Sequence, residues 1–453
     1  MLNPPLSLLS NELLTLIVEH LDALPYSLEA IRDLSLTDHA FTPICQNLIF
    51  RILQVGSDDV TKIRISYQLK KFQTILNEKP SAADQVRVLR LFLSQKQDEW
   101  VLKDPIFIRI LDLIAKSPST PDKLEFSGFW SKPIDNPVLF VDVLTKSFFS
   151  QSLRSLRLSS CSNLPLPLLL ICPRLQVVSL DEVAVTDDSY DGYQDDQCAR
   201  EWPSLQVFRY HYSHSFVEQM ITPPPRFQVP LTLWSQLRIL ELCPYVDEDL
   251  ACLQPILDAA CNSLEELNLS VLCSFGTCHP LHKPKSPTNF LNTKAEQISL
   301  AGLMNLTNHS NLRVFSLIVT IDGDARNPSV LQDINTVLSR ISSPNKITNM
   351  FFDFTISGSS PFLGCLDEDW VGLCQQIIRI AAGKPLELDL QMAVSNDDLE
   401  EASGEHSLYM ILLDKAASLS DCPNICTHVW NGTLGELGYK AAPLGEVRTK
   451  CKR

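Results

Sequence analysis

Three clusters in this 453-residue chain carry residue types that can do chemistry. Cys273, Cys278, His279 and His282 gather four zinc-ligand types, but four residues separate the cysteines, and Cys278 and His279 are adjacent. Neighbouring side chains diverge in an extended chain, so this reads as a loop rather than a zinc site. Asp187, Ser189, Asp191, Gly192 and Asp195 follow the first places of a calcium loop, where oxygens alternate and Gly makes the turn. The place that needs a bidentate Glu holds Cys198, so an acidic insertion is expected instead. His211 and His214 form a pair with no third ligand beside them. A Gly-x-Ser-x-Gly elbow, a phosphate loop ending in Lys-Ser or Lys-Thr, a dinucleotide Gly-x-Gly-x-x-Gly and a His-Glu-x-x-His helix are all missing from the sequence. The expectation is therefore a chain without catalytic residues, metal or cofactor, which acts through its surface.

Composition narrows the class of surface. A formal net charge of -15 argues against broad contact with nucleic-acid phosphates, which requires clustered Lys and Arg. The segment from Asp181 to Glu201 alone holds eight carboxylates, and Asp397, Asp398, Glu400, Glu401 and Glu405 crowd a second stretch. Both read as solvated loops. Glu12, Glu19 and Asp22 interrupt the apolar N-terminal segment, so neither secretion nor membrane insertion is indicated. Fourteen cysteines, Cys252, Cys261 and Cys374 among them, are scattered through apolar segments as small hydrophobes, which fits the cytoplasm or nucleus.

What must position any binding residues is a recurring phrase. Leu153, Leu156 and Leu158 stand at offsets 0, 3 and 5, with Cys161 at 8. Weaker copies are Val86-Leu89-Leu91, Leu175-Val178-Leu180, Leu205-Phe208-Tyr210, Leu237-Leu240-Leu242, Leu264-Leu267-Leu269, Leu312-Phe315-Leu317 and Ile347-Met350-Phe352. Val60-Ile63-Ile65 and Leu124-Phe126 read as early strands and Leu386-Leu388-Leu390 as a late one. Helical spacings precede several of them: Leu250-Leu253-Leu257-Ala260, Leu331-Ile334-Leu338-Ile341 and Trp370-Leu373-Ile377-Ile380. The phrase resembles the leucine-rich repeat, which implies an α/β solenoid: a horseshoe with parallel strands on the inner curve and helices outside. Insertions at 181–203, 223–225, 273–297 and 395–406 are expected as surface loops, and residues 440–453 as a basic tail.

The first 55 residues differ in pattern. They predict three short helices: one after the N-cap Ser10, one from Ser27 to Leu36, and one from Thr42, with Pro43 in its first turn, through Ile52. Leu9, Glu12, Leu13, Leu14 and Ile17, followed by Leu34-Ser35-Leu36 and Phe41, resemble an F-box over roughly residues 5 to 53; Ser10 stands where that family carries Pro. An F-box-like domain (1–55), an irregular leucine-rich solenoid (56–439) and a tail (440–453) together resemble F-box proteins of the leucine-rich-repeat type, abundant in fungi. That resemblance implies a substrate adaptor of an SCF-type cullin-RING ubiquitin ligase. Its Skp-family subunit would be met by Leu9, Leu13, Leu14, Ile17, Leu21, Leu36 and Ile44, while the repeats hold a target protein. The other reading is a scaffold outside any ligase, whose N-terminal helices cap the solenoid's open edge.

Strand alternation places one residue of each repeat at the centre of the inner face: Arg157, Ser179, Arg209, Glu241, Asn268, Ser316, Phe351 and Glu387. With His211, these form the candidate target surface. Arg157, Arg209 and His211 suggest a seat for an acidic or phosphorylated peptide.

Overall fold

A computed structural model describes residues 10–22, 27–37, 39–56, 61–93, 100–128, 150–161, 172–184, 203–211, 213–221, 231–243, 252–271, 299–322, 330–357, 368–394, 410 and 413–433. The zinc-like and calcium-like clusters, Leu9, Val60, Leu250, the acidic stretch around Asp397 and the basic tail lie outside them. The chain is an α/β protein of two compact units, residues 1–203 and 204–453.

The first unit opens with three helices, α1 (Asn11–Asp22), α2 (Ser27–Thr37) and α3 (Thr42–Ile49). Ser10 Oγ accepts from the Leu13 amide at 3.5 Å, as an N-cap should. The third helix ends earlier than the sequence predicts. Ile52–Val55 is instead strand β1, because Leu53 and Val55 pair with Leu89 and Leu91 and are buried there. Helix α4 (Lys62–Glu78) overturns the early strand read at Val60-Ile63-Ile65. Ile65, Leu69 and Leu76 form its buried stripe, while Ile63 points to solvent.

Strands β2 (Val88–Phe92), β3 (Lys123–Ser127), β4 (Ser155–Cys161) and β5 (Val177–Val183) follow, with helix α5 (Trp100–Lys103) and helix α6 (Pro105–Ala115) between β2 and β3. All five strands pair in parallel and in sequence order. Register brings Leu89, Leu124, Leu156 and Val178 into one row and Leu91, Phe126, Leu158 and Leu180 into the next. Both rows are buried.

The second unit repeats the design. It contains β6 (Val207–His211), α7 (His214–Ile221), β7 (Ile239–Cys243), α8 (Leu253–Ala260), β8 (Glu266–Val271), β9 (Val314–Asp322), α9 (Val330–Ser339), β10 (Asn349–Ser357), α10 (Trp370–Ala381), β11 (Leu386–Val394) and β12 (Ile425–Thr433). These seven strands are also parallel and paired in order. Phe208, Leu240, Leu267, Phe315, Met350 and Leu388 share a buried row; Tyr210, Leu242, Leu269, Leu317, Phe352, Leu390 and Val429 share another. The first residue of each phrase, such as Leu153, Leu237 or Leu312, is buried just ahead of its strand. There the chain steps over to its neighbour: the Glu265 carbonyl accepts from both Arg313 and Val314, as the Arg238 carbonyl does from Glu265 and Glu266.

Helices are wired to the next repeat by side chains. Glu368 accepts from the amides of Val330 and Leu331 at the start of α9, at 3.1 and 2.9 Å. At its other end Arg379 donates to the carbonyls of Leu338 and Ile341. Arg340 donates likewise to the Met304 carbonyl at 2.8 Å. These bonds satisfy helix-terminal groups that have no partner within their own helix.

Candidate protein-binding surfaces

Helices α1 to α3 enclose a small core of their own: Leu14, Val18, Ile31, Phe41 and Cys45, with Leu21, Leu34, Ile44 and Leu48 packed against it. On α1 the inward residues Leu14, Val18 and Leu21 follow a spacing of three and four. Leu13, Leu16 and Ile17 follow the same spacing on the adjoining stripe and are 49%, 53% and 41% exposed. Leu36, near the end of α2, is 85% exposed. The residues expected at the partner contact therefore separate. Leu13, Ile17 and Leu36 are open, Leu14 is consumed by the internal core, and Leu21 and Ile44 are half-buried against it. Leu16 was missed, although its place three residues after Leu13 was the available signal.

The strand face carries a row of side chains opposite the buried rows. In the first unit, register aligns Gln54, Arg90, Glu125, Arg157 and Ser179. Arg90 Nε lies 2.5 Å and Lys123 Nζ 2.7 Å from the Glu125 carboxylate. Burial pushes that carboxyl up, but the two cationic donors outweigh it and hold it below its ordinary range. Arg157 is exposed.

In the second unit the row is Arg209, Glu241, Asn268, Ser316, Phe351, Asp389 and His428. Glu387, predicted for this row, stands opposite Asn349, one side-chain step earlier, and Asp389 takes the central place. A slip of two residues leaves alternation unchanged, so Leu386-Leu388-Leu390 could not fix the register. Arg209 Nε lies 2.8 Å and His211 Nε2 3.4 Å from Glu241. The hydrogen bond from His211, opposed by burial and aided by the charge of Arg209, lowers the Glu241 carboxyl. Arg209 and His211 are thus already answered within the chain, which removes two of the three cations expected to seat an acidic peptide.

A polar cavity of about 350 Å³ lies at the N-terminal ends of β6 to β9, lined by Gln206, Gln236, Arg238, Glu265, Asn311 and Arg313 among others. Nothing in the sequence pattern singled it out. Arg238 grips Glu265 with two bonds of 3.0 and 2.9 Å, and Asn311 donates to the Asn262 carbonyl at 2.6 Å. Ser263 Oγ, also in the lining, is committed to the Leu237 carbonyl at 2.8 Å. Among the described residues no group of three or more His, Cys, Asp or Glu could hold a metal, and no helix is long and apolar enough to cross a membrane. His309 is buried against the Leu257 carbonyl at 3.1 Å, and burial depresses its pKa.

The geometry defines an α/β protein of parallel strands paired in sequence order, with an aliphatic stripe on its leading helices and a polar row along its strands. No known family model matches this chain, and no curated protein matches it.

Proposed function

We propose that this protein is the substrate-recognition adaptor of an SCF-type cullin-RING ubiquitin ligase, with an F-box at its leading helices and leucine-rich repeats holding the target. The observation that carries the reading is the exposed stripe Leu13, Leu16, Ile17 and Leu36 on helices that already possess a complete core. Together these residues expose roughly two whole aliphatic side chains. Covering them would stabilise a complex by about 4 kcal/mol, a sizeable share of a micromolar affinity. A Skp-family subunit offering an apolar groove is the matching partner. The chain then needs no bond chemistry of its own, since it raises the local concentration of its target beside the ubiquitin-loaded partner.

One observation favours the scaffold alternative: α3 runs into β1 across only Phe50 and Arg51, and Lys79 Nζ, beyond the end of α4, binds Gln46 of α3 at 2.7 Å. A cap would sit in this way. Co-purification with a Skp-family subunit, using wild type and the Leu13→Asp, Ile17→Asp double variant, separates the two. Capture of wild type alone supports the adaptor; capture of neither supports the scaffold.

A further inference from the structure

Among the described residues, several carboxylates on the strand face meet a donor within the chain. Glu125 meets Arg90 and Lys123, and Glu241 meets Arg209 and His211. Glu387 accepts from Asn349 at 2.9 Å and lies 3.8 Å from His428. Glu266 accepts from Asn268 at 2.7 Å. Asp353 of β10 has no such neighbour. Its residue is 6% exposed, its Oδ1 is buried without a hydrogen-bond partner, and register sets it between Ile318 and Gln391. Phe352 and Phe354 on either side of it point into the core, so Asp353 lies on the same face of the sheet as Phe351, one row further along β10. Asp389 stands across from Phe351 on β11, about one strand spacing away.

From this we propose that the face of β10 and β11 receives an arginine side chain from an extended basic segment of a target protein, with Asp353 as its buried carboxylate and Phe351 as the ring over which the guanidinium lies. Arginine fits better than lysine: its planar fork gives two donors to one carboxylate, it is the more weakly hydrated cation, and it stacks on an aromatic face. Asp389 and Glu387 place two further carboxylates on the same face of β11. The arrangement also accounts for a buried charge that nothing in the described chain compensates, because a group left unpaired in the free protein is satisfied when the ligand arrives. Burial alone raises the Asp353 carboxyl to about 6, and an incoming cation would draw it back down.

The proposal rests on the strand face being the target-holding surface, and its test is kept apart from the ligase partner. The full-length protein, at neutral pH and physiological salt, is titrated into a fluorescent Gly-Ser decapeptide carrying two arginines two positions apart. Peptides with citrulline or glutamate at those positions serve as comparisons. Wild type should bind the arginine peptide at least tenfold more tightly than either. Asp353→Asn should weaken that binding at least tenfold, while Glu78→Gln, an exposed acid on α4, leaves it unchanged. Equal binding of the citrulline peptide, retention of full affinity by Asp353→Asn, or binding of no peptide by wild type overturns the site. Circular dichroism of Asp353→Asn guards against misfolding. The Leu13→Asp, Ile17→Asp variant should bind the arginine peptide as wild type does. If it does while wild type captures no Skp-family subunit, the adaptor reading falls and the arginine site stands; capture together with an overturning peptide result gives the reverse.

Discussion

Asp353→Asn should make the free protein more stable, by an amount that depends on pH. The carboxyl titrates near 6 in the folded chain against an ordinary value of 3.8, a difference of about two units. At about 1.4 kcal/mol per unit, the ionised group destabilises the native state by about 3 kcal/mol above pH 6. Because the folded pKa is raised, this penalty is fully present above 6, shrinks as pH falls, and is gone below about 4. An amide keeps the shape without the charge, although burying it unbonded costs about 1 kcal/mol. The net gain for Asp353→Asn at pH 7.5 is therefore about 2 kcal/mol. Near pH 4, where wild type carries a neutral carboxylic acid, the two proteins should differ by less than 1 kcal/mol. Urea unfolding of both proteins, followed by intrinsic fluorescence from pH 4 to 8, measures this gap. His309, whose depressed pKa makes acidification destabilising below its ordinary value of 6.5, contributes equally to both and cancels in the difference. A gap that does not change with pH, or an Asn variant less stable at pH 7.5, would refute the reasoning.

Leu14→Ala should destabilise the leading helices by about 2–4 kcal/mol, because Leu14 is 1% exposed in their core. Leu13→Asp with Ile17→Asp should change stability by less than about 1 kcal/mol, since both project to solvent; comparing the two by thermal unfolding separates packing from docking. Phe352→Ala should cost about 3–5 kcal/mol, as its ring is fully buried 6.0 Å from that of Phe354 and 6.1 Å from that of Phe315; chemical denaturation reads this directly. Arg379→Ala should cost about 1–2 kcal/mol by leaving the Ile341 carbonyl unbonded and the Leu338 carbonyl with the Ile341 amide alone, and amide exchange near the end of α9 should rise with it.

The strands were legible because one short phrase does two jobs. In Leu237-Arg-Ile-Leu240-Glu-Leu242 the last two leucines alternate inward along a strand, and the first is buried just ahead of it. The same logic misled where spacing coincides by chance: Ile63 and Ile65 lie two apart, as on a strand, yet the next buried residues at Leu69 and Leu76 belong to a helical period. Strand β12 carries no such phrase because Thr427 occupies a buried place that other repeats fill with Leu, Phe, Met or Val. The helix expected from Thr42 through Ile52 takes in the first residue of β1, because four residues from Ile52 to Val55 give no alternation long enough to read and only the pairing with β2 marks them as a strand.

The candidate site was less legible for a different reason. Leu240-Glu241-Leu242 and Phe352-Asp353-Phe354 look alike along the chain, each an acid between two inward hydrophobes. Only the pairing shows that Glu241 has Arg209 beside it, whereas Asp353 has Ile318 and Gln391. Those neighbours lie 32 to 38 residues away in sequence, at separations set by insertions of unequal length. Whether an acid on such a face is internally neutralised or left for a ligand is thus a property of cross-strand register, fixed only once the buried rows have aligned.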